Sequence, residues 1–156
     1  EELAVSKIIL VKSDFTVFDF KKDSFKKLVE RLNLLVLEGA KQSRNNYLMD
    51  VEGWKNTDEI VSTFSGYSRV FLMAPGAPFQ KAPFAGLNLE SLKKPILILV
   101  GPEGGFSPEE ESRFKEAGAQ PVSLGDILLK CDTAAVAAVS VLKYAFEARN
   151  VTFSDE

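Results

Sequence analysis

The chain has no histidine, one cysteine, two methionines and one tryptophan in 156 residues. Without histidine there is no Ser-His-Asp or Cys-His nucleophile, no histidine metal ligand, and no general base of the commonest kind. A single cysteine, Cys131, forms no internal disulfide, and alone it supplies too few soft ligands for zinc. No metal is therefore expected, and a reducing, cytoplasmic location is. No apolar run is long enough to span a bilayer and no signal-peptide pattern opens the chain, so no membrane partner is expected. The net charge of −3 argues against a strongly basic nucleic-acid binder, while leaving room for a local patch.

What is present is ordinary globular composition, 46% hydrophobic and 26% charged, in a length that suits one domain with a real core. Glu1 to Val5 reads as the tail of a helix entering a strand, which implies an upstream segment. "SKIILVK" (6–12), "YLMDVE" (47–52), "RVFLMA" (69–74), "PILILV" (95–100) and "QPVSL" (120–124) read as short strands. Between the first two, Phe25, Leu28, Val29, Leu32 and Val36 recur at helical spacing, with Asp23 or Ser24 as cap. Thr57, Asp58 and Glu59 open a helix to about Phe64. Asp132-Thr133 caps a last helix reaching Ala148. A Pro- and Gly-rich loop covers 75–86. Residues 1–149 form the domain and 150–156 a polar tail.

Strands without clear alternation, separated by helices, predict an α/β fold with a parallel sheet flanked by helices on both faces. Ligands in such sheets sit beyond the carboxyl ends of the strands. That brings Ala74-Pro75, Gly101 to Phe106 and Gly125 to Lys130 together.

The stretch "ILILVGPEGGFSPEEESRFKEAG" (96–118) carries the strongest local signal. It is neither the G-x-G-x-x-G dinucleotide fingerprint nor a phosphate loop ending in Gly-Lys-Ser/Thr. Ser107 as N-cap, Pro108 at the first helical position and Glu110 three after the serine make a capping box. Glu109, Glu110 and Glu111 already satisfy the positive helix end. An anion there meets three carboxylates, so the loop suits a neutral or cationic ligand, or is a plain strand–turn–helix connection. The last helix, "TAAVAAVSVLKYAF", is small or apolar on nearly every face. It is either a core helix or one that packs on the domain and a second subunit at once, with Ala135 and Ala138 at the contact. From Lys21 to Arg44 seven basic residues face three acidic ones, which makes either a solvated helix face or a phosphate-tracking patch.

"LVGPEGGFSPEE", followed by "VSLGDILLKCDTAAVAA", resembles the C-terminal domain of the bacterial small-subunit ribosomal RNA (uracil-N(3))-methyltransferases, the RsmE type of the SPOUT superfamily. "ELAVSKIIL" and "EGAKQS" resemble the family's first-strand entry and glutamine–serine helix end, so the likeness covers nearly the whole chain. It implies a C-terminal trefoil knot, S-adenosylmethionine bound in that knot, a homodimer through the last helix beside it, ribosomal RNA or the small subunit as substrate, and an N-terminal RNA-binding barrel upstream. The cofactor residues carried over are Gly101, Pro102, Glu103, Gly104 and Gly105, then Leu124, Gly125, Leu128 and Leu129, with Leu72 and Ala74 at the earlier strand end. The glycines let backbone approach the ligand, and the leucines make an apolar slot for adenine.

The chain departs from the family in its arginines. Where the family tends to read T-E-R-S, Ser13-Asp14-Phe15-Thr16 puts Phe15 at an arginine. Where the family has Q-S-G-R, Gln42-Ser43-Arg44-Asn45 displaces or loses another, with Asn45 at its position, and the knot loop carries Ile127 and Lys130 in place of two more. Neither Phe nor Ile replaces a bidentate guanidinium, so RNA binding by this stretch alone is expected to be weak. The reading is methyl transfer to a uracil ring nitrogen. The alternative is a diverged dimeric module that binds S-adenosylmethionine, or only a partner. Lys130 is the candidate to stabilise a uracil anion, and no general base is assigned.

Overall fold

The computed structural model describes residues 3, 5–17, 22–43, 46–74, 77 and 93–147. Strand β1 (Lys7–Lys12) pairs in parallel with β2 (Asp50–Asn56). Strand β3 (Arg69–Met73) lies between β4 (Ile96–Leu99) and β5 (Gln120–Val122), parallel to both. The helices are α1 (Lys22–Ser43), α2 (Thr57–Ser62), α3 (Pro108–Glu116) and α4 (Cys131–Glu147). The α/β class with parallel strands flanked by helices is therefore as expected. The expected single sheet is instead two, of two and three strands, among the described residues. Core packing joins them: Ile9 and Val11 of β1 lie against a cluster that includes Ile60, Leu72, Phe106 and Phe114.

The unbroken apolar run of β3 serves two faces. Val70, Leu72 and Ala74 enter the cluster with Leu99, Phe106 and Phe114. Phe71 belongs to a second cluster with Val122, against which Met73, Ile96 and Leu142 of α4 pack. Successive strand side chains point to opposite faces, and both faces here are covered. Phe114 is wholly buried, its ring edge-on to Phe106 with centroids 4.9 Å apart. Helix α1 docks through its predicted face: Phe25, Leu28, Val29 and Leu32 are half-buried, and Val36 is buried. The Phe25 ring lies 5.3 Å from that of Trp54, and a side chain at Gly53 would come within 3.2 Å of it.

Several boundaries differ from the sequence reading. Strand β2 begins at Asp50 because Tyr47 and Leu48 are exposed. Helix α2 is capped by Asn56, whose Oδ1 accepts from the Glu59 N–H while its own N–H donates to Glu59 Oε2. It stops at Ser62 and gives way to a 3₁₀ turn at Phe64–Gly66. Helix α1 begins at Lys22, so Asp23 and Ser24 fall in its first turn. Helix α4 begins at Cys131, with Asp132 inside the first turn accepting from the Thr133 N–H. Apart from Ala77, the loop 75–86 lies outside the described residues, as does the tail 150–156.

Ala138 is wholly buried within the chain itself, so it is not the exposed contact that the sequence reading made of it. It lies one turn before Leu142, on the side of α4 that faces the sheet. The uncovered side carries Val136, Val141 and Tyr144. No helix among the described residues is long and apolar enough to cross a membrane.

The shared core makes a direct prediction. Phe114→Ala should cost about 3–5 kcal/mol by leaving an aromatic-sized cavity between the sheets. Urea unfolding measures it, and a loss below about 1 kcal/mol would show that the two sheets do not depend on this cluster.

Candidate cofactor site at the strand ends

The registers place Leu72 beside Leu99 and Pro121, and Met73 beside Val122. Parallel strands in that register send their following segments off one edge. The Ala74 N–H donates to the Val122 carbonyl at 3.0 Å, which holds Ala74 at the same edge. The segments after β3, β4 and β5 thus start side by side, as architecture alone implied. Leu72 is wholly buried in the core, so its side chain anchors the strand beneath this edge. Pro75 lies outside the described residues.

The first loop is a closed turn. The Gly105 N–H donates to the Pro102 carbonyl at 2.8 Å, and Gly105 has φ +73°. That left-handed backbone favours glycine. Gly101 is needed for another reason: a Cβ there would stand 3.0 Å from the Gly105 carbonyl carbon. Gly104 is needed for a third, since its Cβ would stand 3.0 Å from that of Phe15. The segment after β1 therefore packs directly on this loop, a contact between distant segments that no local sequence pattern announces.

Hydrogen bonds fix that contact. The capping box of α3 forms as read, with Ser107 Oγ accepting from the Glu110 N–H and Glu110 Oε2 from the Ser107 N–H. Glu110 is nonetheless buried, and its other oxygen accepts from Thr57 Oγ1 at 2.8 Å and the Asp14 N–H at 3.2 Å. Ser107 Oγ donates in turn to Asp14 Oδ2 at 2.6 Å. A buried carboxylate is tolerable because three donors converge on it. The sequence showed Glu110 as a capping residue; nothing local to it announced Thr57 or Asp14.

In the second loop Ser123 is buried and its Oγ donates to the Gly125 carbonyl at 2.8 Å, while Gly125 has φ +142°. Leu124, Gly125 and Leu129 are half-buried. Ile127 and Leu128 are 81% and 74% exposed, so this chain alone does not close an apolar slot around Leu128. Lys130 is exposed, and its carbonyl accepts from the Ala134 N–H in the first turn of α4. Burial pushes the Cys131 thiol pKa up, and the carboxylates of Glu103 and Asp132 push it further. Glu103 in the first loop is thus within electrostatic reach of the end of the second. Residues 101–105 and 124–129 include two acids, Glu103 and Asp126, and no base. Exposed backbone with acid and no cation fits a positively charged ligand that carries no phosphate.

Parallel strands, with two glycine loops leaving one sheet edge, define an α/β domain. The chain belongs to the RNA methyltransferase domain family, whose model matches residues 1–143. It is 29% identical over 144 residues to the ribosomal RNA small subunit methyltransferase E of Helicobacter pylori strain J99, covering 90% of this chain and 56% of that protein. The Synechocystis protein of the same name is 31% identical over 121 residues, covering 76% and 39%. The chain thus spans about half the length of the curated relatives it matches. Among solved structures, the Neisseria gonorrhoeae ribosomal RNA small subunit methyltransferase E bound to S-adenosylmethionine superposes with TM-score 0.77 at 27% identity, over 92% of this chain and 56% of that one. A putative methyltransferase from Legionella pneumophila, also with bound S-adenosylmethionine, shares the fold at TM-score 0.79 and 24% identity, over 92% and 57%.

The proximity of the two loops is open to a chemical test. A raised pKa leaves less Cys131 thiolate at pH 8, and thiolate is the reactive form. Glu103→Gln removes one of the carboxylates that raise it, so alkylation by iodoacetamide at pH 8 should speed up. An unchanged rate would separate the loops.

Proposed function

We propose that this domain binds S-adenosylmethionine across the loops 101–105 and 124–129 and directs its methyl group to a uracil ring nitrogen of small-subunit ribosomal RNA. The observation that carries the reading is that two acid-bearing, base-free glycine loops leave the same sheet edge, in a chain whose relatives are named ribosomal RNA small subunit methyltransferases. When bound, the cofactor would supply an electrophilic methyl on a sulfonium, for a ring nitrogen whose proton passes to water, with S-adenosylhomocysteine as the leaving group.

The protein's part is positioning and charge. The backbone of Gly101, Pro102, Glu103, Gly104 and Gly105 would hold the adenine by main-chain hydrogen bonds. Leu124, Gly125, Leu128 and Leu129 form the apolar side of the slot, and Ala74 its floor. Leu72 supports that floor from the core. Glu103 and Asp126 favour the positive sulfur. Most of the rate comes from holding nitrogen, methyl and sulfur in line. Lys130, exposed at the end of the second loop, stabilises the developing uracil anion. The exposed Lys26, Lys27, Arg31 and Lys41 of α1 attract the RNA backbone without reading sequence.

The proposal includes a second copy of the chain. Val136, Val141 and Tyr144 leave one side of α4 uncovered, and Ile127 and Leu128 stand exposed in the loop before it. A two-fold pairing through this side covers both and closes the slot around Leu128. The trefoil knot, an upstream RNA-binding barrel and a cytoplasmic location belong to the same reading.

Titration calorimetry should show S-adenosylmethionine binding that Gly104→Val abolishes, because the new side chain collides with Phe15 and displaces the loop. Labelled cofactor with unmodified small subunits should then mark a single uracil, at a KM raised by the missing arginine contacts, each worth about 1.5–3 kcal/mol. Cofactor binding with no labelling at any subunit concentration would leave the binding-module alternative.

The pairing has its own test. Val136→Glu should turn a dimer into a monomer by sedimentation and weaken cofactor binding with it. A wild-type monomer at micromolar concentration would sink the pairing.

A further inference from the structure

An open hollow beside the first loop is lined by Asp14, Phe15, Thr16, Val17 and Gly104. Its wall is a rigid turn. The Thr16 N–H donates to the Ser13 carbonyl at 3.1 Å, the Ser13 N–H donates to Thr16 Oγ1 at 2.9 Å, and the two hydroxyls are 2.8 Å apart. Asp14 is tied to Ser107 and Glu110 from outside the turn. These bonds fix the backbone that carries Phe15, and its Cβ is seated on Gly104. Yet the side chain stays 46% exposed, beside a Val17 that is 95% exposed.

We infer that this hollow is a stacking site for an unpaired pyrimidine of the RNA, with Phe15 as the substrate-positioning residue. The inference deepens, and rests on, the reading that a uracil is brought to the loop 101–105. Three features select this occupant. The hollow shares Gly104 with the cofactor loop, so a base held there stands next to that loop. Its lining carries a carboxylate and no cation, which disfavours phosphate and leaves the neutral face of a base. The side chains of Asp14 and Thr16 are already engaged, with α3 and within the turn, so what the lining offers is an aromatic face on an anchored backbone. Base–aromatic stacking needs no more and is tolerant of sequence. Phe15 thereby supplies orientation where a guanidinium would have supplied charge.

The test uses a short uridine oligoribonucleotide carrying 5-iodouridine, photo-crosslinked to the protein and mapped by mass spectrometry. The crosslink should fall on Phe15. Phe15→Trp should keep it, while Phe15→Ala and Phe15→Leu should each lower affinity for the oligonucleotide about tenfold, in line with the alanine-substitution cost of one stacked base. All three variants should bind S-adenosylmethionine as the wild type does. No crosslink at Phe15 with saturating oligonucleotide overturns the inference. So does Phe15→Leu matching the wild type, which would reduce Phe15 to packing. So does cofactor affinity falling together with RNA affinity, which would assign the hollow to the cofactor. A crosslink retained without methyl transfer to small subunits overturns the transfer reading and leaves the stacking site standing.

Discussion

The carboxylate of Glu110 fixes the geometry of everything around it. It caps its own helix through Ser107, takes the hydroxyl of Thr57 from α2 and takes the Asp14 N–H from the turn after β1. No ladder joins the two sheets among the described residues, so this polar cluster and the apolar core beside it hold them in register. A buried charge in that role is an all-or-none device. Fully satisfied it specifies one arrangement, and with any partner missing it strands a charge out of water. The seating of Phe15 on Gly104 follows from it, since Asp14 belongs to the same turn.

Electrostatic sign runs consistently through the site. A phosphate loop gathers backbone N–H groups and a lysine at a helix end. Here the helix end is spent on Ser107 and Glu110 within the chain, and the glycine loop before it carries Glu103. The second loop adds Asp126. A nucleotide phosphate is refused twice, by the occupied helix end and by the acids. A sulfonium meets neither obstacle. Apart from Lys130 at the end of the second loop, the basic residues proposed to meet RNA stand on the exposed face of α1.

Much of this was legible in the sequence because it is local. The capping box needs only Ser107 and Glu110 three residues apart, and it formed as read. The strand runs, the apolar face of α1 and the convergence of loops at the carboxyl edge follow from short-range pattern and from parallel topology. What was illegible is long-range or depends on one torsion angle. The positive φ sits at Gly105 and not at its neighbour Gly104; adjacent glycines look alike until the turn is closed. Ala138 and Val136 are both small apolar residues of one helix, and only the sheet decides that the first is buried and the second exposed. The contact of Phe15 with Gly104 joins residues that share no pattern.

The length of chain between its partners gives the Asp14–Ser107–Glu110–Thr57 cluster a kinetic meaning. Asp14 meets Ser107 and Glu110 across 93 and 96 positions, and Thr57 meets Glu110 across 53. Such closures cost the most loop entropy and come late in folding. Strands β1 and β2, with α1 between them, can assemble while the rest of the chain is still being made. The turn that carries Phe15 acquires its fixed position only after α3 has left the ribosome. Until then the face of β1 that carries Ile9 and Val11 stands open, so the site is among the last things this chain completes.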